Sequence, residues 1–239
     1  VAKVNGDKVI INGKKSFVLN GKEANIIIVP VRTSGSQTEA EGISLFVVES
    51  DTSGILKNNY KTVDGHSASE ITFKNVEVSK DNLLGEIGKG YQALESTVDD
   101  AILAVCAEAT GIMKSLHDKT VEYSKNRVQF GVPIGGFQAL QHRMVDTLMA
   151  CEETESILLW ALTTSQDDSS SLKKAISGLK YQIGTAGKHV GQEAVQLHGG
   201  MGISWELDIA HFFKRLSSIE ILFGNADFHM KRFLMLSNN

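Results

Sequence analysis

The spacing of apolar residues changes once along this chain, near residue 85, and that change constrains the fold more than any other feature. Before it, short apolar runs such as Ile26-Ile27-Ile28-Val29 alternate with glycine, asparagine and polar turns. After it, apolar residues recur at every third or fourth position, which is the spacing of amphipathic helices. We therefore expect an α+β chain, with an antiparallel β-barrel or sandwich over residues 1–80 and an antiparallel helical bundle over residues 81–239.

Two turn signals divide the first part of the β region. Asn12-Gly13 follows Lys8–Ile11 and precedes Ser16–Leu19. Because both turn residues tolerate a positive φ, we predict a β-hairpin at that point. Asn20-Gly21 predicts a second turn shortly afterwards.

A proline marks the corner between the two longest helical patterns. Pro133 lacks a backbone N–H and its ring clashes with the preceding turn, so a helix cannot continue through it. The segment Arg127–Ile134 therefore predicts a sharp reversal between antiparallel helices over about residues 88–126 and 137–164. Such a corner can present a cation and backbone donors to an anion.

A third helix is predicted over about residues 172–197, and Gly199, Gly200 and Gly202 follow it. Glycines leave backbone N–H groups without side-chain cover, so this loop can approach a phosphate or a ring closely. The same spacing also fits an ordinary helix C-cap and a tight turn, so both interpretations stay open. Two shorter helices are expected over about residues 206–216 and 218–235.

Composition and charge exclude several classes of function. The net charge of −4 argues against a general nucleic-acid binder. No apolar run reaches the roughly 20 residues that cross a bilayer, and no signal peptide is visible. We therefore expect no membrane partner and a cytoplasmic location, or the mitochondrial matrix in a eukaryote. Cys106 and Cys151 lie in apolar helical patterns and are predicted to be buried thiols. Since the chain starts at Val1 rather than at methionine, we expect that part of a longer protein precedes it.

The ordered motifs of the helical part are similar to those of the C-terminal domain of acyl-CoA dehydrogenases. They are Arg127-x-Gln129-Phe130-Gly131-x-Pro133-Ile134-x-x-Phe137-Gln138 and then Gln196-x-x-Gly199-Gly200-x-Gly202. The segments Asn12-Gly13-Lys14-Lys15 and Phe73-x-x-Val76-x-Val78 resemble the middle β-domain of that family. The resemblance covers nearly the whole chain, and the N-terminal helical domain of the family is absent from it.

The resemblance implies a flavoprotein that removes the α and β hydrogens of an acyl-CoA thioester. FAD would accept the hydride, and an electron-transferring flavoprotein would reoxidise the flavin. In the family the FAD is held mainly by a neighbouring subunit, so an oligomer is implied, with a tetramer favoured. The residues that match the family's FAD contacts are Arg127, Gln129, Phe130, Phe137, Gln138, Gln196, Leu197, Gly199 and Gly200.

The sequence departs from the family at the catalytic base. The family's usual Glu, just before a Gly in the last helices, is replaced here by Phe223. The alternative position for the base, on the first long helix, is occupied by Ala101. Neither side chain can accept a proton, and general-base catalysis needs a titratable group. Asp99 and Asp100 are the remaining candidates, and neighbours on a helix point about 100° apart, so at most one faces a cleft.

A further departure concerns the flavin itself. Where the family usually has a Ser or Thr that bonds flavin N5, this chain has Leu19, which carries no donor. These losses resemble the small subunits of heteromeric acyl-CoA dehydrogenases of the pimeloyl-CoA and steroid side-chain type. An α₂β₂ assembly is therefore the first expectation. A self-sufficient homotetramer that uses Asp99 or Asp100 as base, and a non-enzymatic acyl-CoA binder or scaffold, remain alternatives.

Overall fold

A computed structural model describes residues 1–164 and 169–238 of the chain. The chain forms two compact units, Val1–Thr97 and Val98–Asn239. The described part of the first unit is mostly strand, and that of the second is mostly helix. The α+β class predicted from the change in apolar spacing is therefore confirmed.

The first unit contains two antiparallel sheets, of order β1-β2-β6-β5 and β3-β4-β7. The strands are β1 (Ala2–Asn5), β2 (Lys8–Leu19), β3 (Ile26–Arg32), β4 (Ile43–Glu49), β5 (Ile55–Lys61), β6 (Ser67–Ser79) and β7 (Leu83–Leu84). Alternate side chains of both sheets share one core, with Ile11 and Ile71 from the first and Val29 and Phe46 from the second. Within the described residues the strands thus form a sandwich of open sheets and not a closed barrel.

The hairpin predicted at Asn12-Gly13 is wrong, because β2 runs straight through these residues. The register against β6 shifts between Ile11 and Gly13, which is a β-bulge. At the bulge, the Asn12 side chain forms two hydrogen bonds with Asn75. Its Nδ2 donates to Asn75 Oδ1 at 3.0 Å, and the Asn75 N–H donates to Asn12 Oδ1 at 2.8 Å. Pairing with a strand some 60 residues away has overridden a local turn preference.

The tight turn of this region lies earlier, at Gly6-Asp7, where Asn5 pairs with Lys8 and Gly6 has φ 61°. The second predicted turn, at Asn20-Gly21, is confirmed. Asn20 adopts φ 54° there, a left-handed conformation that asparagine tolerates better than most residues.

The helical part consists of five helices within the described residues, as the apolar spacing predicted, but the predicted break near residue 217 is wrong, because the fourth helix continues to Ile221. They are α1 (Tyr91–Asn126), α2 (Gln138–Thr163), α3 (Ser169–His198), α4 (Asp208–Ile221) and α5 (Ala226–Ser237). Helix α3 is central, because it contacts α2, α4 and α5. Cys106 and Cys151 are buried free thiols, as predicted, and burial raises the pKa of Cys106 to about 12. None of the described helices is long and apolar enough to cross a membrane.

The corner before Pro133 is a small β-hairpin. Strands β8 (Val128–Gln129) and β9 (Val132–Pro133) pair antiparallel. Phe130 and Gly131 form its two-residue tip, with φ of 55° and 81°. Two successive positive φ values are the mark of a type I′ turn. A short 3₁₀ turn, Ile134–Gly136, then leads into α2.

Candidate functional site

The end of α1 and the end of α3 meet at one groove of about 380 Å³ in the helical unit. Its lining residues are Tyr123, Arg127, Gln129, Ile134, Gln196, Leu197, His198, Gly199, Gly200 and Met201. The groove therefore brings together the arginine corner and the glycine loop, which lie about 70 residues apart in the sequence. That arrangement makes it the candidate ligand site.

The main chain of Arg127 is fixed while its side chain is exposed. Its N–H donates to Tyr123 O, and its carbonyl accepts from the Ile134 N–H, each at 2.8 Å. Within residues 1–164 and 169–238, the guanidinium makes neither a hydrogen bond nor an ion pair. An exposed guanidinium on a fixed backbone can bind a phosphate or carboxylate through two parallel hydrogen bonds.

Phe130, Phe137 and Gln138 do not line this groove, although Gln129 and Ile134 of the same segment do. Phe130 sits at the hairpin tip and is 93% exposed. Its ring meets Phe137 edge to face, with the centroids 6.2 Å apart. Gln138 is the first residue of α2 and is exposed. Two adjacent exposed aromatic rings form the kind of surface that another chain or a ligand covers.

The glycine loop differs from the expectation of free N–H groups. Gly199–Ile203 forms a 3₁₀ turn that continues the C-terminal end of α3, where carbonyl groups rather than N–H groups are left without helical partners. A Cβ at Gly200 would meet no atom within 4 Å, whereas a Cβ at Gly202 would lie 2.5 Å from Val195 O. Gly202 is therefore required by packing, whereas Gly200, which lines the groove, has open space at its Cβ position.

Two residues of the groove floor, Tyr123 and His198, were missed by the sequence reasoning. Their rings stack with centroids 4.3 Å apart and an interplanar angle of 26°. Burial lowers the pKa of His198 below its ordinary value, and its hydrogen bond to Ala194 opposes that shift. The sequence did contain a signal for Tyr123, because it lies four residues before Arg127 and hence on the same helical face. His198 lies inside the glycine motif itself.

Phe223, which the resemblance places at the position of the family's usual base, lies in the turn between α4 and α5. Phe223 has φ 59°, and its side chain packs against the core of the helical unit. Two buried side chains hold this turn through main-chain carbonyls. Lys180 Nζ donates to Glu220 O and Gly224 O, each at 2.8 Å, and His229 Nε2 donates to Phe223 O at 3.0 Å.

The two candidate aspartates have different environments. Asp99 is buried, and both of its oxygens accept from Arg232, at 2.7 and 2.9 Å. A carboxylate held in this way is a poor general base, since protonation would break a two-bond ion pair. Asp100 is exposed on α1. Ala101, at the alternative position for the base, lies next to it and brings no titratable group.

In the first unit, Leu19 ends β2, and its side chain is half-exposed. A register shift between Lys15 and Val18 precedes it. Phe17, within that shift, has φ 55° and donates its N–H to Glu70 Oε1 at 3.2 Å. The backbone is thus irregular just before Leu19, and Leu19 itself has no side-chain hydrogen-bond donor.

Comparisons with known proteins bear on this site. Among curated proteins, the short-chain specific acyl-CoA dehydrogenase of Megasphaera elsdenii is 32% identical over 223 residues, covering 90% of this chain and 56% of the relative. Subunit CarC of a caffeyl-CoA reductase-Etf complex from Acetobacterium woodii is 28% identical over 212 residues, covering 87% of this chain and 55% of the relative. A solved acyl-CoA dehydrogenase from Geobacillus kaustophilus superposes with a TM-score of 0.92 at 28% identity, covering all of this chain and 63% of that one.

The chain therefore spans little more than half the length of the curated relatives that it matches. Residues 88–235 match the family described as acyl-CoA dehydrogenase, C-terminal domain. Residues 1–76 match the one described as acyl-CoA dehydrogenase, middle domain. Because these two matches cover most of its residues, the chain belongs to the acyl-CoA dehydrogenase family.

Proposed function

We propose that this chain is part of an FAD-dependent acyl-CoA dehydrogenase, as the small subunit that contributes FAD contacts to a partner chain. Residues 1–80 would be its middle β-domain and residues 81–239 its helical domain. Two such chains and two larger partners would form an α₂β₂ tetramer. The partner would supply the catalytic base and most of the flavin pocket.

One observation carries the proposal: a glycine loop and a guanidinium that is unpaired within the described residues line the same groove, while both positions of the family's base lack a proton acceptor. Arg127 suits a pyrophosphate, because its planar fork matches phosphate oxygens. Gly200 lets a bound molecule approach the backbone. The exposed Phe130 and Phe137 provide an apolar surface for the partner that holds the rest of the cofactor.

The chemistry divides between cofactor and protein. Bound FAD would accept a hydride from the β-carbon of the acyl-CoA. The α-proton must go to a base of the protein, and neither Phe223 nor Ala101 can take it. In this proposal the partner chain provides that base.

The self-sufficient alternative rests on Asp100, since Asp99 is already paired with Arg232. Asp100 is exposed to solvent, whereas catalytic bases are typically found in desolvated clefts. The alternative of a non-enzymatic scaffold gives no role to the Arg127 guanidinium, which has no partner among the described residues, whereas a non-enzymatic acyl-CoA binder could use it. An electron-transferring flavoprotein as redox partner is supported by the relative that is a subunit of a caffeyl-CoA reductase-Etf complex.

Co-purification tests the subunit proposal. The full protein that contains this chain is produced alone and together with a larger acyl-CoA dehydrogenase chain from the same genome. We expect that only the pair produced together binds FAD stoichiometrically and oxidises acyl-CoA. A preparation of the protein alone that binds FAD stoichiometrically and bleaches on addition of acyl-CoA would overturn it.

Replacing Arg127 by alanine is expected to weaken FAD binding by the complex. Loss of one charge-assisted hydrogen-bond partner costs about 1.5–3 kcal/mol, which raises the Kd by roughly ten- to hundredfold. Arg127→Lys should fall between alanine and wild type, because it keeps the charge and loses the fork. Lys125→Ala, an exposed cation at the end of α1, is the control. The measurement is FAD content and Kd by fluorescence titration, and equal values for Arg127→Ala and Lys125→Ala would contradict the role.

Gly200→Ala and Gly202→Ala form a second matched pair. The added methyl at position 200 meets open space, so we expect unchanged thermal stability but weaker FAD binding, because that space belongs to the groove. The methyl at position 202 collides with Val195 O, and we expect a loss of about 1–3 kcal/mol of stability. Thermal unfolding and FAD titration of both variants check this. Full FAD affinity in Gly200→Ala would show that no ligand approaches the loop.

A further inference from the structure

We propose that the His198 imidazole recognises the ligand on the groove floor, with its Nε2 accepting a hydrogen bond from a donor of the bound FAD. The donor is the exocyclic amino group of adenine or a sugar hydroxyl, both of which offer a hydrogen to a lone pair. This inference rests on the proposed function, because it takes FAD as the ligand. It adds a specificity-determining side chain that the sequence motifs did not single out.

The tautomer of His198 follows from its own helix. The Nδ1 atom lies 2.8 Å from the carbonyl oxygen of Ala194. A carbonyl can only accept, so Nδ1 must carry the hydrogen. In the neutral ring the lone pair is then on Nε2. The backbone of α3 thus fixes which nitrogen is the acceptor, whatever enters the groove.

The Nε2 atom borders open space. Among the described residues, His229 Nδ1 is the one side-chain polar atom that is both fully enclosed and without a partner. His198 Nε2 makes no hydrogen bond within the described residues and therefore is not enclosed. His198 is only 5% exposed as a whole, and it is one of the residues that line the groove.

The ring is also held in orientation. Tyr123 stacks on it at a centroid distance of 4.3 Å, so the imidazole plane is fixed from α1 as well as from α3. A side chain locked by packing and by a second hydrogen bond loses little entropy when it binds. The loop carbonyls that follow His198 are acceptors too, so this end of the groove favours donors while Arg127 favours anionic oxygens.

The charged groups near the ring are few within the described residues. Asp208, at the start of α4, favours protonation of His198, and its carboxylate is paired with Lys119 at 2.9 Å. Arg127 also lines the groove. Burial is the largest influence and lowers the pKa of the ring. The neutral form, which has the acceptor, is therefore the form present near pH 7.5.

The test uses the assembled protein and measures the Kd for FAD at pH 7.5. His198→Phe keeps a ring against Tyr123 and removes the acceptor, and we expect about a tenfold higher Kd, the effect of one hydrogen bond. His198→Gln keeps a neutral acceptor and should recover part of the affinity. His189→Phe is the control, because His189 is exposed on the same helix outside the groove, and its Kd should equal that of wild type.

A pH series separates recognition from packing. Below the pKa of His198 the wild type should lose FAD affinity relative to its value at pH 7.5, because protonated Nε2 becomes a donor. His198→Phe and His198→Gln should lack that component of the pH dependence. A raised Kd in His198→Phe with an unaltered pH profile would overturn the proposal, since the effect would then come from packing.

Flavin hypoxanthine dinucleotide, in which oxygen replaces the adenine amino group, distinguishes the two donors. If the wild type binds it as weakly as His198→Phe binds FAD, the amino group is the donor. If the wild type binds both dinucleotides equally while His198→Phe weakens both, a sugar hydroxyl is the donor. Equal Kd values for wild type and His198→Phe overturn this inference alone, whereas a wild-type assembly that does not bind FAD overturns the proposed function.

Discussion

Replacing Arg232 by leucine is expected to cost the protein about 3–5 kcal/mol of unfolding free energy, because it leaves the Asp99 carboxylate buried and unpaired. The two residues join α5 to α1 through two hydrogen bonds of 2.7 and 2.9 Å. The Asp99 side chain is only 8% exposed and that of Arg232 18%, so water cannot replace the lost partner. Urea unfolding at pH 7.5, followed by circular dichroism, measures the loss.

A second arginine provides the matched control. Arg215 also donates two hydrogen bonds to one carboxylate, from Nε and Nη2 to the two oxygens of Glu108 at 2.6 and 2.7 Å, and joins α4 to α1. The Glu108 side chain, however, is 41% exposed, so its carboxylate can be hydrated after Arg215→Leu. We expect that variant to lose about 1 kcal/mol. Equal losses for the two variants would show that burial of the carboxylate does not set the cost.

Acidification is expected to destabilise the protein through His229 before most carboxylates are protonated. The ring is fully buried, and desolvation lowers its pKa from 6.5 to about 4, with Lys180 and Arg232 adding repulsion and Asp99 opposing it. At pH 7.5 the ring is neutral in both the folded and the unfolded chain. Between pH 6.5 and 4 the unfolded chain takes up this proton first, so about 3 kcal/mol of stability is lost over that interval.

The measurement is urea unfolding of wild type and His229→Gln from pH 8 to pH 4.5. The glutamine keeps an N–H for the Phe223 carbonyl but cannot titrate. We expect it to be less stable than wild type at pH 7.5 and to have a shallower acid limb, so that the two curves approach each other near pH 5. Parallel curves over the whole range would rule out His229 as the titrating group. Carboxylates are common to both proteins and cancel in the difference.

The local signals in the sequence predicted the elements that depend on local spacing. Apolar residues three or four apart specified the long helices, and Pro133 specified the corner between α1 and α2. They failed where distant pairing decides the structure, as at Asn12-Gly13, whose side chain and backbone are engaged by β6. The hairpin at Phe130-Gly131 was likewise not predicted, because a two-residue strand on each side carries no periodicity.

The candidate site was predicted only in part for the same reason. Arg127 and the glycine loop were identified as separate motifs, and their meeting in one groove depends on how α1 and α3 pack. The stacked pair Tyr123 and His198 exists only in that packing. That Phe223 cannot act as a base needed no structure, since a phenyl ring cannot accept a proton anywhere. The pairing of Asp99 with Arg232, more than 130 residues away, could not be read from sequence.

Besides the packing of the Phe223 ring, the turn that carries this residue is held by two buried side chains that bind main-chain carbonyls. Lys180 and His229 bind the carbonyls of residues 220, 223 and 224, and every amino acid has a carbonyl. These hydrogen bonds are therefore available whether a Glu or a Phe stands at position 223. In evolutionary terms, a duplicated gene could exchange a catalytic Glu for a Phe at this position in a single lineage without first losing its fold. In the proposed division of labour between two subunits, one copy could therefore lose its base while keeping the hydrogen bonds that hold this turn.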